Sequence, residues 1–189
     1  MKKIAILASG SGTNAERIIR HFSGSAQAVV EVVMSNRADA LVLERAKGLG
    51  VDALVFSRSD LYDSGKVADE LRQRRIDGVV LAGFLWLVPD NILTAYPDRI
   101  LNIHPALLPK YGGKGMYGDR VHRAVIEAGE TESGITIHRV NRHYDSGDIL
   151  FQARIPVEKD DTPETLAARI HELEYRHYPE IIERELLRW

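Results

Sequence analysis

Asn102-Ile103-His104-Pro105 closes an apolar run that begins at Ile100. If that run is a strand, Asn102 and His104, two positions apart, share one face. An amide donor beside an imidazole suits acyl transfer: one group holds a developing oxyanion while the other moves a proton or shares the charge. A second set is Ser9-Gly10-Ser11-Gly12-Thr13-Asn14, which follows the apolar run Lys3–Ala8 and precedes a helical pattern. Free N–H groups at a helix start attract anions. Gly10-x-Gly12-x-x-Ala15 fits the loose dinucleotide pattern. The polar Ser11, Thr13 and Asn14 suit a single phosphate monoester at least as well, and a plain tight turn is the third reading. The dinucleotide pattern expects an acid at the end of the second strand; Ser35-Asn36-Arg37 stands there, and Arg37 could serve a 2′-phosphate. The third set is Tyr144-Asp145-Ser146-Gly147-Asp148. Asp and Gly there are ordinary turn residues. If Asp145 lies near His104, its carboxylate favours and orients the protonated imidazole; Asp148 competes for that role.

The elements around these sets alternate. Strands are expected at Lys3–Ala8, Ala28–Met34, Ala53–Phe56, Gly78–Ala82 and Ile100–His104. Helices are expected from Asn14 to about His21, over Ala40–Leu49, from Asp63 to about Arg75 and over Pro89–Tyr96. Short apolar strands alternating with helices are the signature of a parallel sheet covered on both faces. The last third differs. Gly134–Val140 and Ile149–Val157 form an expected β-hairpin, preceded by a Gly-rich loop after Pro109 and a helix at about Arg120–Ala128. Thr162-Pro163-Glu164 marks a helix start, and Pro179 is expected to end or kink that helix near His177. The fold class is therefore α/β, a doubly wound, mostly parallel sheet with a C-terminal hairpin and helix, in one domain over residues 1–189.

Composition narrows the function. The 189 residues carry 25 Lys and Arg against 27 Asp and Glu, a net charge of −2, without the basic field of a dedicated nucleic-acid binder. Charges of both signs are interspersed and no apolar run approaches the roughly 18 residues of a membrane span, so no membrane partner is expected and the chain is placed in the cytoplasm. Cys is absent, which excludes disulfides, thiolate metal sites and a cysteine nucleophile. Neither HExxH nor GxSxG occurs, so neither a metal nor a serine hydrolase is expected. His138 shares a strand face with Thr136 and Gly134 and either edges the site or is exposed. Phe84, Trp86 and Tyr111 form an apolar wall or belong to the core.

The three sets, in this order, resemble the phosphoribosylglycinamide formyltransferases, folate-dependent enzymes of purine synthesis. Leu101-Asn102-Ile103-His104-Pro105-Ala106-Leu107-Leu108-Pro109, Gly134-Ile135-Thr136-Ile137-His138 and Asp145-Ser146-Gly147 carry the likeness to the 10-formyltetrahydrofolate formyltransferase superfamily, and Ser9–Asn14 points to the glycinamide ribonucleotide branch. The resemblance implies formyl transfer from 10-formyltetrahydrofolate, a co-substrate, to the amine of glycinamide ribonucleotide through a tetrahedral intermediate. It implies Asn102 on the formyl oxygen, His104 sharing that charge and moving protons, and Asp145 raising the basicity of His104. Gly12, Thr13 and Asn14 would cradle the phosphate, and His171 and Glu174 would touch the same substrate. Leu85, Trp86, Leu87 and Val88, with Asn141, Arg142, His143, Tyr144 and Asp145, would line the folate pocket. Gly112–Gly118 replaces the family's shorter Pro-Gly turn, and Trp86 stands where a basic residue is common. The resemblance does not bring the C-terminal RNA-binding domain of methionyl-tRNA formyltransferase or the N-terminal regulatory domain of formyltetrahydrofolate deformylase. The alternatives are a sugar-nucleotide N-formyltransferase and, from another class, an NADP-dependent oxidoreductase.

Overall fold

The structure, a computed structural model, describes residues 1–189. In chain order the elements are β1 (Lys2–Ala8), α1 (Thr13–Phe22), β2 (Ala28–Ser35), α2 (Leu41–Gly48), β3 (Asp52–Val55), α3 (Arg58–Tyr62), α4 (Lys66–Gln73), β4 (Gly78–Leu81), α5 (Asp90–Ala95), β5 (Ile100–His104), α6 (Asp119–Glu127), β6 (Glu132–Arg139), β7 (Ile149–Pro156) and α7 (Pro163–Leu186). The strands form one seven-stranded sheet in the order β3-β2-β1-β4-β5-β6-β7. The first five pair in parallel, while β6 runs antiparallel to both β5 and β7.

The period-2 geometry of β1 accounts for the layers. Ile4, Ile6 and Ala8 enter the core on one face with Ile18, Phe22 and Ile182. Ala5 and Leu7 enter the core on the other, with Leu61, Leu71 and Ile92. A strand covered on both sides must be apolar at every position, which is why β1 shows no polar alternation. In β5, Leu101 and Ile103 belong to the first core and Ile100 to the second. Asn102 and His104 continue the row of Ile100 toward the carboxyl end, where open α/β sheets bind ligands.

Two helices depart from the sequence pattern. The helix expected from Asp63 to about Arg75 is present as α4, Lys66–Gln73, but a short unexpected helix, α3, precedes it. Ser57 and Asp60 form a reciprocal cap that starts α3, and Gly65, in the left-handed region at φ 72°, separates it from α4. The last helix does not stop near Pro179 but continues to Leu186. A proline inside a helix costs about 3 kcal/mol. Beyond it Ile181, Ile182 and Leu186 are buried, each worth about 1.5–3 kcal/mol, so burial outweighs the lost hydrogen bond. The start of α7 is as expected, with Thr162 and Thr165 capping each other and Pro163 in the first turn.

Tyr178 ties this helix to the sheet. Its ring is fully buried, and its hydroxyl donates to Leu81 O at 2.9 Å and to Leu101 O at 3.1 Å. Burial drives its phenol well above the usual range, so it stays a donor. Tyr178→Phe should therefore cost about 1–3 kcal/mol, read from the midpoint of urea denaturation; an unchanged midpoint would show the bridge to be idle.

Candidate active site

A cavity of about 630 Å³ opens over the carboxyl ends of β1, β4 and β5. Its first wall is the loop after β1. Gly12 caps α1 at φ 76° with no side-chain cap, so the first N–H groups of α1 face the cavity unpaired by the helix. A Cβ at Gly12 would lie 2.4 Å from Val42 Cγ2, so only glycine fits. Ser9 is engaged elsewhere: its hydroxyl donates to Asn36 Oδ1 at 2.7 Å and accepts from Leu85 N at 3.1 Å, tying two walls together. Helix α7 closes this end. Glu174 is 4% exposed, and its Oε2 accepts from Asn14 Nδ2 and from His171 Nδ1, both at 2.9 Å. Its Oε1 has no protein donor.

The floor is built by β5, β6 and the loop before β7. His104 is 3% exposed. Its Nε2–H donates to Tyr111 O at 2.7 Å, and its Nδ1 lies 3.6 Å from Asp145 Oδ2. Asp145 Oδ2 accepts from Gly113 N at 3.0 Å, and its Oδ1 is 3.4 Å from Asn102 Nδ2. The competition between carboxylates is settled: the Asp148 side chain is 84% exposed and faces Arg139. Both Tyr111 and Asp145 take left-handed backbone, at φ 56° and 49°, an arrangement non-glycine residues keep only where the surroundings impose it. Gly147 permits this: a Cβ there would come within 1.7 Å of Arg139 O.

Asp145 pulls the basicity of His104 upward, as expected, but it does not set the net value. Burial lowers the His104 pKa and outweighs the carboxylate's opposing pull, so the net shift is downward. Burial pushes the Asp145 carboxyl up, but the His138 and His104 rings and the Gly113 N–H hold it below the usual range. Near neutrality the site therefore offers a bare His104 Nδ1 facing a carboxylate, two acceptors 3.6 Å apart that one proton donor can address together from the cavity side. At the α7 end, the hydrogen bond to Glu174 raises His171, while burial, and then the charge of His171, lower His122.

The remaining walls are partly those expected. Leu85, Trp86, Leu87 and Val88 line the cavity, as do His143, Tyr144 and Asp145. Tyr62 braces the first segment by donating to Leu87 O at 2.8 Å. Asn141 and Arg142 do not line it. Arg142 pairs with Asp90 at 3.0 Å, and Asn141 Oδ1 accepts from His143 N and Ser146 Oγ, shaping the loop from outside. The Gly-rich segment after Tyr111 forms a further wall, through Lys114, Met116 and Tyr117. His138, left open between edge and exposure, is 2% exposed and bonded to Asn102. Arg37, a candidate for a 2′-phosphate, is forked onto Asp39 at 3.1 and 2.8 Å. No group of three or more His, Asp or Glu is arranged to hold a metal ion. No helix is long and apolar enough to cross a membrane.

The sequence profile of the Formyl transferase family matches residues 2–182. The chain belongs to that family. It is similar to the chloroplastic phosphoribosylglycinamide formyltransferase of Arabidopsis thaliana, 44% identical over 187 residues, which cover 96% of this chain and 64% of that one. The chain thus spans just under two thirds of the plant relative. The phosphoribosylglycinamide formyltransferase of Haemophilus influenzae is 40% identical, over 96% of this chain and 86% of its own length. The crystal structure of glycinamide ribonucleotide transformylase 1 from Symbiobacterium toebii superposes with a TM-score of 0.90 at 41% identity, over 99% of this chain and 88% of that one. The fold is the one those formyltransferases share, and the family implies a folate-type formyl donor. The oxidoreductase and sugar-nucleotide readings are not favoured.

These ionisations set an acid limit on stability. His104 and His122 have lowered values in the fold, so their contribution is complete above the unfolded value of about 6.5 and is lost as pH falls through the folded values. His171, raised, acts oppositely: its contribution is present in acid and fades as pH rises through its folded value. Urea midpoints measured between about pH 5 and 8 should fall on the acid side, and fall more steeply in His171→Gln. A His171→Gln profile parallel to the wild type would contradict the assignment.

Proposed function

We propose that the chain transfers the formyl group of 10-formyltetrahydrofolate to the primary amine of glycinamide ribonucleotide. The observation that carries this is the meeting of Asn102, His104 and Asp145 on the floor of the one cavity that the N-terminus of α1 and the Leu85–Val88 segment also line. The Thr13 and Asn14 N–H groups receive the ribose phosphate. Glu174 Oε1 and His171 offer an acceptor and a donor to the same substrate. Leu85–Val88 and His143–Asp145 hold the folate, chiefly through backbone and apolar contact. The cytoplasm is the compartment proposed for the reaction.

The amine nitrogen attacks the formyl carbon, and the carbonyl electrons move onto oxygen. Asn102 Nδ2 donates to that oxyanion. The Nε2–H of His104 is already engaged by Tyr111 O, so this ring serves less as an oxyanion donor than as a proton carrier. Its bare Nδ1 accepts the proton that the attacking amine loses, with Asp145 stabilising the imidazolium. Collapse breaks the bond from the formyl carbon to N10, and that nitrogen takes the proton. The products are the N-formyl nucleotide and tetrahydrofolate, with no net proton released.

Turnover of the purified protein with both substrates, and with the amine omitted, tests this. Acceptor-dependent formation of tetrahydrofolate is the expected result. Turnover without the acceptor would make the chain a deformylase, and turnover only with a sugar-nucleotide amine would move the substrate assignment. Asn102→Ala should lower kcat by about 10²–10³, as for loss of one oxyanion donor; a drop under about threefold in a folded protein would remove Asn102 from that role. Asp145→Asn should damage kcat far more than substrate affinity, and equal turnover would end the proton-carrier account.

A further inference from the structure

We propose that His138 is a positioning residue that determines which end of the Asn102 amide faces the reacting centre. The inference rests on the oxyanion reading of Asn102. An asparagine can present either its carbonyl oxygen or its NH₂ group, and only the second stabilises an oxyanion. Something must choose between two nearly isosteric orientations.

His138 makes the choice through its tautomer. It lies on β6 directly opposite Asn102 in the antiparallel register and is 2% exposed, on the floor of the cavity behind Asn102. Its Nδ1 is 2.9 Å from Arg139 O. A carbonyl only accepts, so Nδ1 carries a hydrogen, and in the tautomer this selects Nε2 is bare. A buried acceptor requires a donor, and Asn102 Nδ2 supplies it at 3.1 Å. Turning the amide over would set its carbonyl oxygen against the Nε2 lone pair, two acceptors facing each other away from water.

The lock leaves the working hydrogen free. Nδ2 carries two hydrogens, and one meets His138. The other lies on the side of Asp145 Oδ1, at 3.4 Å, a long contact that a closer oxyanion displaces. The competing arrangement, Nε2–H donating to Asp145 Oδ1, spans 3.6 Å, beyond hydrogen-bond range, and leaves Asn102 with no acceptor on that ring. The two titratable groups that bear on the ring are Asp145 and, at longer range, His104. The Arg139 carbonyl is itself held in place: Gly147 packs on it too closely for any Cβ, and Arg139 N donates to Asp148 O at 2.9 Å.

The test pairs kinetics with a readout that does not need activity. His138→Phe should lower kcat by about 10–10², less than loss of the donor itself, with both KM values within about threefold. His138→Gln, whose amide oxygen can accept in place of Nε2, should restore most of that loss. In an Asn102→Ala background, His138→Phe should change nothing further. An equal loss in both backgrounds would overturn the proposal, because a merely structural histidine acts additively. Independently, ¹⁵N spectra of the imidazoles in the wild-type protein should show His138 as the Nδ1–H tautomer; the Nε2–H form would overturn the lock whatever the kinetics. Were Asn102→Ala fully active, the oxyanion reading would fall and the positioning role with it. Additivity on a crippled Asn102→Ala removes only the role of His138.

Discussion

Asn102 faces His138, and His104 faces Thr136, because β5 and β6 run antiparallel in one register. Side chains alternate across a strand, so a slip of one residue would turn both catalytic candidates into the opposite core. The register is pinned by Thr136, which is fully buried. Its hydroxyl donates to Ala106 O at 2.7 Å and accepts from Leu108 N at 3.0 Å, with Gln152 Nε2 at 2.9 Å. The same contacts direct the chain after His104 through Leu108 and back, so that the Tyr111 carbonyl meets the imidazole. One threonine thus couples strand pairing to loop path. Gly134 assists by letting β7 approach: a Cβ there would sit 2.0 Å from Ala153 O.

The site is dry at its floor and polar at its ends. Burial favours neutral His104, while the neighbouring His138 and His104 rings and the Gly113 N–H hold Asp145 charged against the same burial, which divides their labour. The helical end works differently. There Glu174 gathers Asn14 and His171 and raises the latter, which favours its cationic form beside the turn that opens α1. Two imidazoles in one cavity are thus held on opposite sides of their ordinary value by distinct causes, desolvation in one and a carboxylate in the other.

Much of this was legible in the chain before any coordinates. The apolar strands, the Asn102–His104 spacing and the Asp-Ser-Gly turn point to the floor, and the Gly-rich turn points to the end of the cavity at α1. What escaped has physical reasons. His138 joins Asn102 only through strand register, which no local pattern encodes, and a histidine near a strand end carries no mark of being buried. Asp145 and Asp148 are equivalent in sequence, and only the tight packing of Gly147 on Arg139 O turns one in and the other out. Arg142 looked like pocket lining until Asp90 claimed it. Pro179 signalled an end to α7 by its local cost, yet the apolar residues beyond it had a core to enter.

The hydrogen bond between Asn14 and Glu174 joins positions 160 residues apart. At about 5–20 residues per second of synthesis, roughly 8–30 s separate the emergence of its two partners. Over that interval Asn14 lacks the carboxylate that holds it in the finished fold. The turn that opens α1 therefore gains its buried carboxylate partner only when α7 docks. The helix that seals the core also completes the last wall of the cavity.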